Sequence, residues 1–181
     1  MMLRNTFLIW ACVLTLPAAG QESFGATERL EIWRHVRLQE TRENPANTLT
    51  DFSTDGCSGG MSATWALLAQ VFPEFSETFG ARPPWEVCCV RHDRAYHQGG
   101  ANSNPNASFL ARLEADKVLR DCIIGAAATR KKELHGKYGV SEDQISLIHG
   151  RIGQAMFNAV RLGGGPCSGL PWRWGFGWPQ C

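Results

Sequence analysis

The chain has 181 residues, with 18 Lys and Arg against 17 Asp and Glu, and a formal net charge of +1. A balance this close to neutral excludes the basic field that would hold nucleic acid or dock a protein strongly on an anionic membrane. Seven cysteines direct attention to oxidised, cross-linked chemistry.

The first predicted element is a targeting segment. In MMLRNTFLIWACVLTLPAAGQES, Arg4 precedes an apolar run from Phe7 to Leu16, and Ala18 and Gly20 are the small residues that a signal peptidase selects. The run is too short to span a bilayer, and nothing later is long and apolar enough to do so. Residues 1–20 are therefore expected to be a signal peptide, and residues 21–181 one secreted domain, extracellular or periplasmic. Cleavage removes Arg4 and Cys12, leaving 17 basic and 17 acidic residues and six cysteines. An even count in an exported chain suggests three disulfides, although spacing alone does not choose among the pairings. Zinc is disfavoured because no CxxC or HxxxH spacing occurs.

Residues 27–43 carry Leu30, Trp33, Val36 and Arg37 at helical spacing with charges between, which predicts an amphipathic helix. Residues 44–60, NPANTLTDFSTDGCSGG, predict a loop. MSATWALLAQVF predicts a short helix, broken by Pro73 and then by GARPP. A helix over 85–98 follows Pro83 and Pro84 and stops at Gly99 and Gly100. ANSNPNA reads as loop, and 107–132 as a further helix, punctuated by Gly136 and Gly139. Ser141 with Gln144 forms a capping-box pattern, opening a helix to about Arg161 with Ile145, Ile148, Ile152, Met156 and Val160 as its stripe. The tail, GGGPCSGLPWRWGFGWPQC, is irregular and would be closed by a Cys167–Cys181 bond. Its Trp172, Trp174, Phe176 and Trp178 suit a small clamped core, or else a lipid-facing patch. Strand signals are weak throughout, so the expected fold is all-α.

The chemistry concentrates in CCVRHDRAYHQGG, residues 88–100. On a helix, Cys88, His92 and Tyr96 form one row, and Cys89, Asp93 and His97 form the next. His92 and Asp93 lie about 100° apart around the axis, so they face two parts of one cavity and are not a hydrogen-bonded pair. If His92 is a base, its supporting carboxylate comes from elsewhere. In FLARLEADKVLRDC, Asp116 precedes Cys122 by six residues. With the two helices antiparallel, a Cys88–Cys122 bridge would set Asp116 level with His92, where it would hold one tautomer. Asp121 is the poorer alternative because its level is displaced. If Asp93 binds a metal, TDGCSGG supplies the Asp55 carboxylate and carbonyls such as that of Gly56. Such hard oxygen donors suit Ca²⁺. A Cys57–Cys89 bridge would fasten that loop beside Asp93. A histidine base beside a divalent cation suits ester hydrolysis by water. No GxSxG motif offers a serine nucleophile. His97 reads as a solvated side chain, and Trp65 and Trp85 as core beside the site.

CCVRHDRAY resembles the CCxxHDxCY signature of secreted phospholipase A2. The resemblance covers about residues 51–122. It implies a disulfide-stabilised, all-α phospholipase A2-like fold with two antiparallel active-site helices and a calcium loop. It also implies Ca²⁺-dependent hydrolysis of the sn-2 ester of a phospholipid substrate at a membrane or micelle interface. Carried over, His92 is the general base, Asp93 the calcium carboxylate, and Tyr96 a hydrogen-bond partner of the supporting Asp116. Cys88 pairs with Cys122, and Cys89 with Cys57. Ala95 and Ala115 replace both halves of one bridge of the animal enzymes. The loop DGCSGG is closer to bacterial and fungal members, in which an Asp two before the Cys binds calcium, a role that falls on Asp55. The alternative from another class is a catalytically inactive lipid- or protein-binding module on the same scaffold.

Overall fold

The computed structural model describes residues 25–57, 61–101 and 104–181. The expected signal segment and Ser58–Gly60 of the expected calcium loop lie outside these. Six helices are described: α1 (Ala26–Glu43), α2 (Met61–Val71), α3 (Pro73–Phe79), α4 (Glu86–Gln98), α5 (Pro105–Tyr138) and α6 (Glu142–Gly163). No strand occurs among the described residues, in keeping with the expected all-α class. No helix among them is long and apolar enough to cross a membrane.

Helix α5 is the axis of the fold, with α1, α4 and α6 packed against it. Its start is set by the Asn104 side chain, which accepts from the backbone of Asn106 and Ala107, with Pro105 in the first turn. It extends beyond the expected Lys132, because Gly136 is tolerated within it and only Gly139, in the left-handed conformation, ends it. α6 opens on the expected Ser141–Gln144 capping box. α2 ends before Pro73 as expected, but Pro73 also opens a further short helix, α3, in whose first turn a missing N–H costs nothing.

Three disulfides join Cys57 to Cys89, Cys88 to Cys122, and Cys167 to Cys181. The first two sit in a core cluster with Trp85, Leu119 and Ile123. A second cluster gathers Leu38, Tyr96 and Trp174, with Phe176 and Trp178 against it. The tail is thus core rather than a lipid-facing patch at Trp174, which is 1% exposed. It also caps α4. The last carbonyls of a helix have no partner within it, and here Gly175 N–H donates to Tyr96, Gly177 N–H to His97, and the Trp178 indole to Gln98.

α1 forms as expected but faces the other way. Leu30 and Trp33 are 56% and 58% exposed, and Val36 is also outward. The inward face carries His35, Leu38 and Gln39. On α6, Ile145 is buried, whereas Ile148 of the expected stripe is exposed.

Candidate active site

The Cys88–Cys122 bridge fixes α4 antiparallel to α5, and Asp116 stands level with His92. His92 Nε2 lies 2.8 Å from Asp116 Oδ1, and the Tyr96 hydroxyl donates to the same oxygen at 2.6 Å. A carboxylate only accepts, so Nε2 carries the proton and Nδ1 keeps its lone pair. Asp93 Oδ1 lies 3.9 Å from Nδ1, beyond hydrogen-bonding reach. The two neighbours are therefore not a bonded pair, as the helical offset requires.

His92 lines a cleft of about 190 Å³ whose other walls include Met61, Asp93, Leu119, Met156 and Trp172. A second cavity, of about 370 Å³, is lined by Ser53, Thr54, Asp55, Asp93 and Trp172. Asp93 and Trp172 belong to both, so an apolar cleft and a carboxylate-bearing one meet at the side of His92. Both are large enough for water, and the first sets the His92 imidazole beside an apolar wall.

The loop before α2 is fastened at several points. Thr54 Oγ1 donates to Asp93 Oδ2 at 2.6 Å, and Gly56 N–H donates to Thr54 Oγ1 at 3.1 Å. Cys57 N–H donates to Ser62 Oγ at 2.8 Å, and the Cys57–Cys89 bridge ties the loop to α4. Gly56 has a φ of +84°, and a Cβ there would press on the Glu86 carboxylate and come within 2.7 Å of Ser62 Oγ. The turn accordingly needs glycine. The polar side chains that border the second cavity, the Asp55 and Asp93 carboxylates and the Ser53 and Thr54 hydroxyls, all carry hard oxygens. Among the described residues no three His, Cys, Asp or Glu side chains cluster as a metal site. A cation between Asp55 and Asp93 would thus draw on carbonyl or water oxygens as well.

Behind Asp116 lies an ionic network that the sequence reading missed. Arg161 Nη1 donates to Asp116 Oδ2 at 3.0 Å, and its Nη2 to Glu31 Oε2 at 2.6 Å. Arg112 is fully buried. Its Nε donates to Tyr96 Oη at 3.0 Å, its Nη1 to Glu31 Oε1, and its Nη2 to the Val160 and Arg161 carbonyls. Two cations thus face two anions in a site with little water. Arg112 stands one turn before Asp116, the only local signal of this arrangement.

Burial pulls the His92 pKa down, but the hydrogen bond and charge of Asp116, together with the Asp93 carboxylate, more than offset it and hold it above the ordinary imidazole value. Burial first, and then the Asp116 charge, push Tyr96 well above the ordinary phenol value despite Arg112, so it remains a donor. Burial pushes Glu31 up, yet His35, Arg112 and Arg161 together hold it below the usual carboxylate range.

Two further expectations are settled by position. His97 is buried, not solvated, and its ring packs edge-on against Phe52 and Phe176. Asp121 pairs on the surface with Arg120 at 2.8 Å and takes no part in the site. Compared with protein-family models, curated proteins and solved structures, the chain matches none.

Proposed function

We propose that the protein is a secreted, calcium-dependent phospholipase A2 that hydrolyses the sn-2 ester of glycerophospholipids by activated water. The observation that carries this reading is the His92 imidazole, bonded through Nε2 to buried Asp116 at 2.8 Å while its other nitrogen is left to a largely apolar cleft. Three disulfides support export.

His92 Nδ1 takes a proton from water, whose oxygen attacks the ester carbonyl carbon. Asp116 steadies the imidazolium that forms, and Tyr96 and Arg161 hold Asp116. As the tetrahedral intermediate collapses, the C–O bond to the glycerol breaks and the proton on Nδ1 passes to the departing alkoxide. The products are a fatty acid and a lysophospholipid. Asp55, the Gly56 carbonyl and Asp93 would hold Ca²⁺, which when bound supplies positive charge for the ester oxygen. The walls formed by Met61, Leu119 and Met156 would receive the acyl chain.

The test is positional. A phospholipid with different acyl chains at sn-1 and sn-2 is incubated with the mature protein and Ca²⁺, and the released acid is identified. The reading expects the sn-2 acid alone. Release of both acids, or of the sn-1 acid, contradicts it, and binding of lipid without release favours a binding module.

A further inference from the structure

The supporting carboxylate of the site is itself held from behind. Asp116 is fully buried, and its Oδ1 takes both His92 Nε2 and the Tyr96 hydroxyl. Its Oδ2 has one hydrogen-bond donor among the described residues, Arg161 Nη1 at 3.0 Å; Arg112 Nε is 4.0 Å away, too far to bond well. Arg161 is in turn fixed from its other side by Glu31 Oε2 at 2.6 Å. The planar guanidinium therefore bridges a carboxylate of α1 to a carboxylate of α5, a fork geometry that lysine cannot reproduce.

We propose that Arg161, anchored by Glu31, is a positioning residue of this site. It occupies Asp116 Oδ2 and so keeps Oδ1 turned to His92, holding the imidazole in the Nε2–H form with Nδ1 available in the cleft. Without Arg161, Oδ2 loses its hydrogen-bond donor among the described residues, and the carboxylate, with the Arg112 charge 4.0 Å away, is free to rotate and carry Oδ1 away from His92. The imidazole would then be free to take either tautomer, and only one of them can act as the base. This inference rests on the hydrolase reading for its effect on turnover, but the orientation of His92 can be read without any turnover.

The experiment pairs the two readouts in Arg161→Gln and Arg161→Lys, on full-length mature protein with its disulfides intact. Long-range ¹H–¹⁵N spectra at alkaline pH, assigned by loss of one of the five histidines in His92→Asn, report the tautomer. Wild-type His92 is expected as Nε2–H alone, and Arg161→Gln as a mixture with the Nδ1–H form. With phospholipid, kcat of Arg161→Gln is expected to fall about 10- to 100-fold with KM little changed, since misplacement of a catalytic group acts on the chemical step. Arg161→Lys is expected between the two, because it keeps the charge but loses the fork. A folded Arg161→Gln with wild-type tautomer and kcat overturns the proposal. Should that variant not fold, Arg161→Lys decides, and wild-type kcat in it overturns the proposal. Wild-type protein without turnover would remove the hydrolase reading alone, and the tautomer spectrum would still decide the role of Arg161.

Discussion

Helices α4 and α1 both turn polar residues inward, and the difference between them separates a site from a scaffold. On α4, His92 and Asp93 border cavities, and the second ring nitrogen of His92 has no hydrogen bond among the described residues. On α1, His35 is fully buried, with Nδ1 against Ser108 Oγ at 2.8 Å and Nε2 3.6 Å from Glu31. His35 Nε2 also lacks a hydrogen bond, but it faces Glu31 within the interior and borders none of the cavities described above. Burial of a polar group therefore does not mark function by itself. A polar group with one bond satisfied and one direction open to a cleft is the candidate.

The largest effect that would break this comparison comes from the cation shared by both regions. Arg112 contacts Glu31 of α1, Tyr96 of α4 and the end of α6. Arg112→Met takes a partner from half-buried Glu31, from the Tyr96 oxygen and from the Val160 and Arg161 carbonyls, and is expected to lower stability by about 3–5 kcal/mol in urea unfolding. Unchanged stability would mean that the network does not hold the helices together. Opening the Cys88–Cys122 bridge by double substitution to Ala should cost about 2–4 kcal/mol. Turnover should fall as well, because the bridge sets the register of Asp116 against His92. Tyr96→Phe keeps the ring packed on Trp174 but removes a donor to Asp116. It should cost about 1.5–3 kcal/mol, the range for a hydrogen bond to a charged group. A loss no larger than that of an exposed tyrosine would argue against a hydrogen bond from Tyr96 to buried Asp116.

The two histidines sharpen the comparison by titrating in opposite senses in metal-free protein. His92 is raised, so its contribution is fully present below the unfolded value of about 6.5 and is lost as pH rises through its folded pKa. His35 is lowered, chiefly by burial, so its contribution is present above about 6.5 and is lost as pH falls through its folded pKa. NMR titration in chelator should place His92 above the ordinary value and His35 below it. Both on the same side would undo the distinction. The smallest effect belongs to the outward face of α1: Trp33→Gln should shift stability by less than about 0.5 kcal/mol.

The α4–α5 half of the site was legible in the sequence because helical period and cysteine spacing are local facts. Residues 88, 92 and 96 share a row whatever surrounds them, and Cys122 then sets the level of Asp116. The capping box at Ser141 is local in the same way. The inward face of α1 was not legible, because hydrophobicity ranks Leu30 and Trp33 as the residues to bury. Glu31 is turned inward and half-buried instead because of partners 81 and 130 residues away, which no local pattern contains. His97 was misread for a related reason. Its cover, Phe52 and Phe176, comes from the loop before α2 and from the tail. Arg161 was not legible as a partner of Asp116, since its bonds to Asp116 and Glu31 exist only once α1, α5 and α6 meet.

The most direct measurement is fatty-acid release from mixed phospholipid by mature protein, with Ca²⁺, with chelator, and in His92→Asn. The account predicts release with Ca²⁺, loss in chelator, and a fall of about 10²–10⁴-fold in the folded variant, the range for a general base. Release that persists in His92→Asn, or none from folded and oxidised wild-type protein across several lipids, would contradict it.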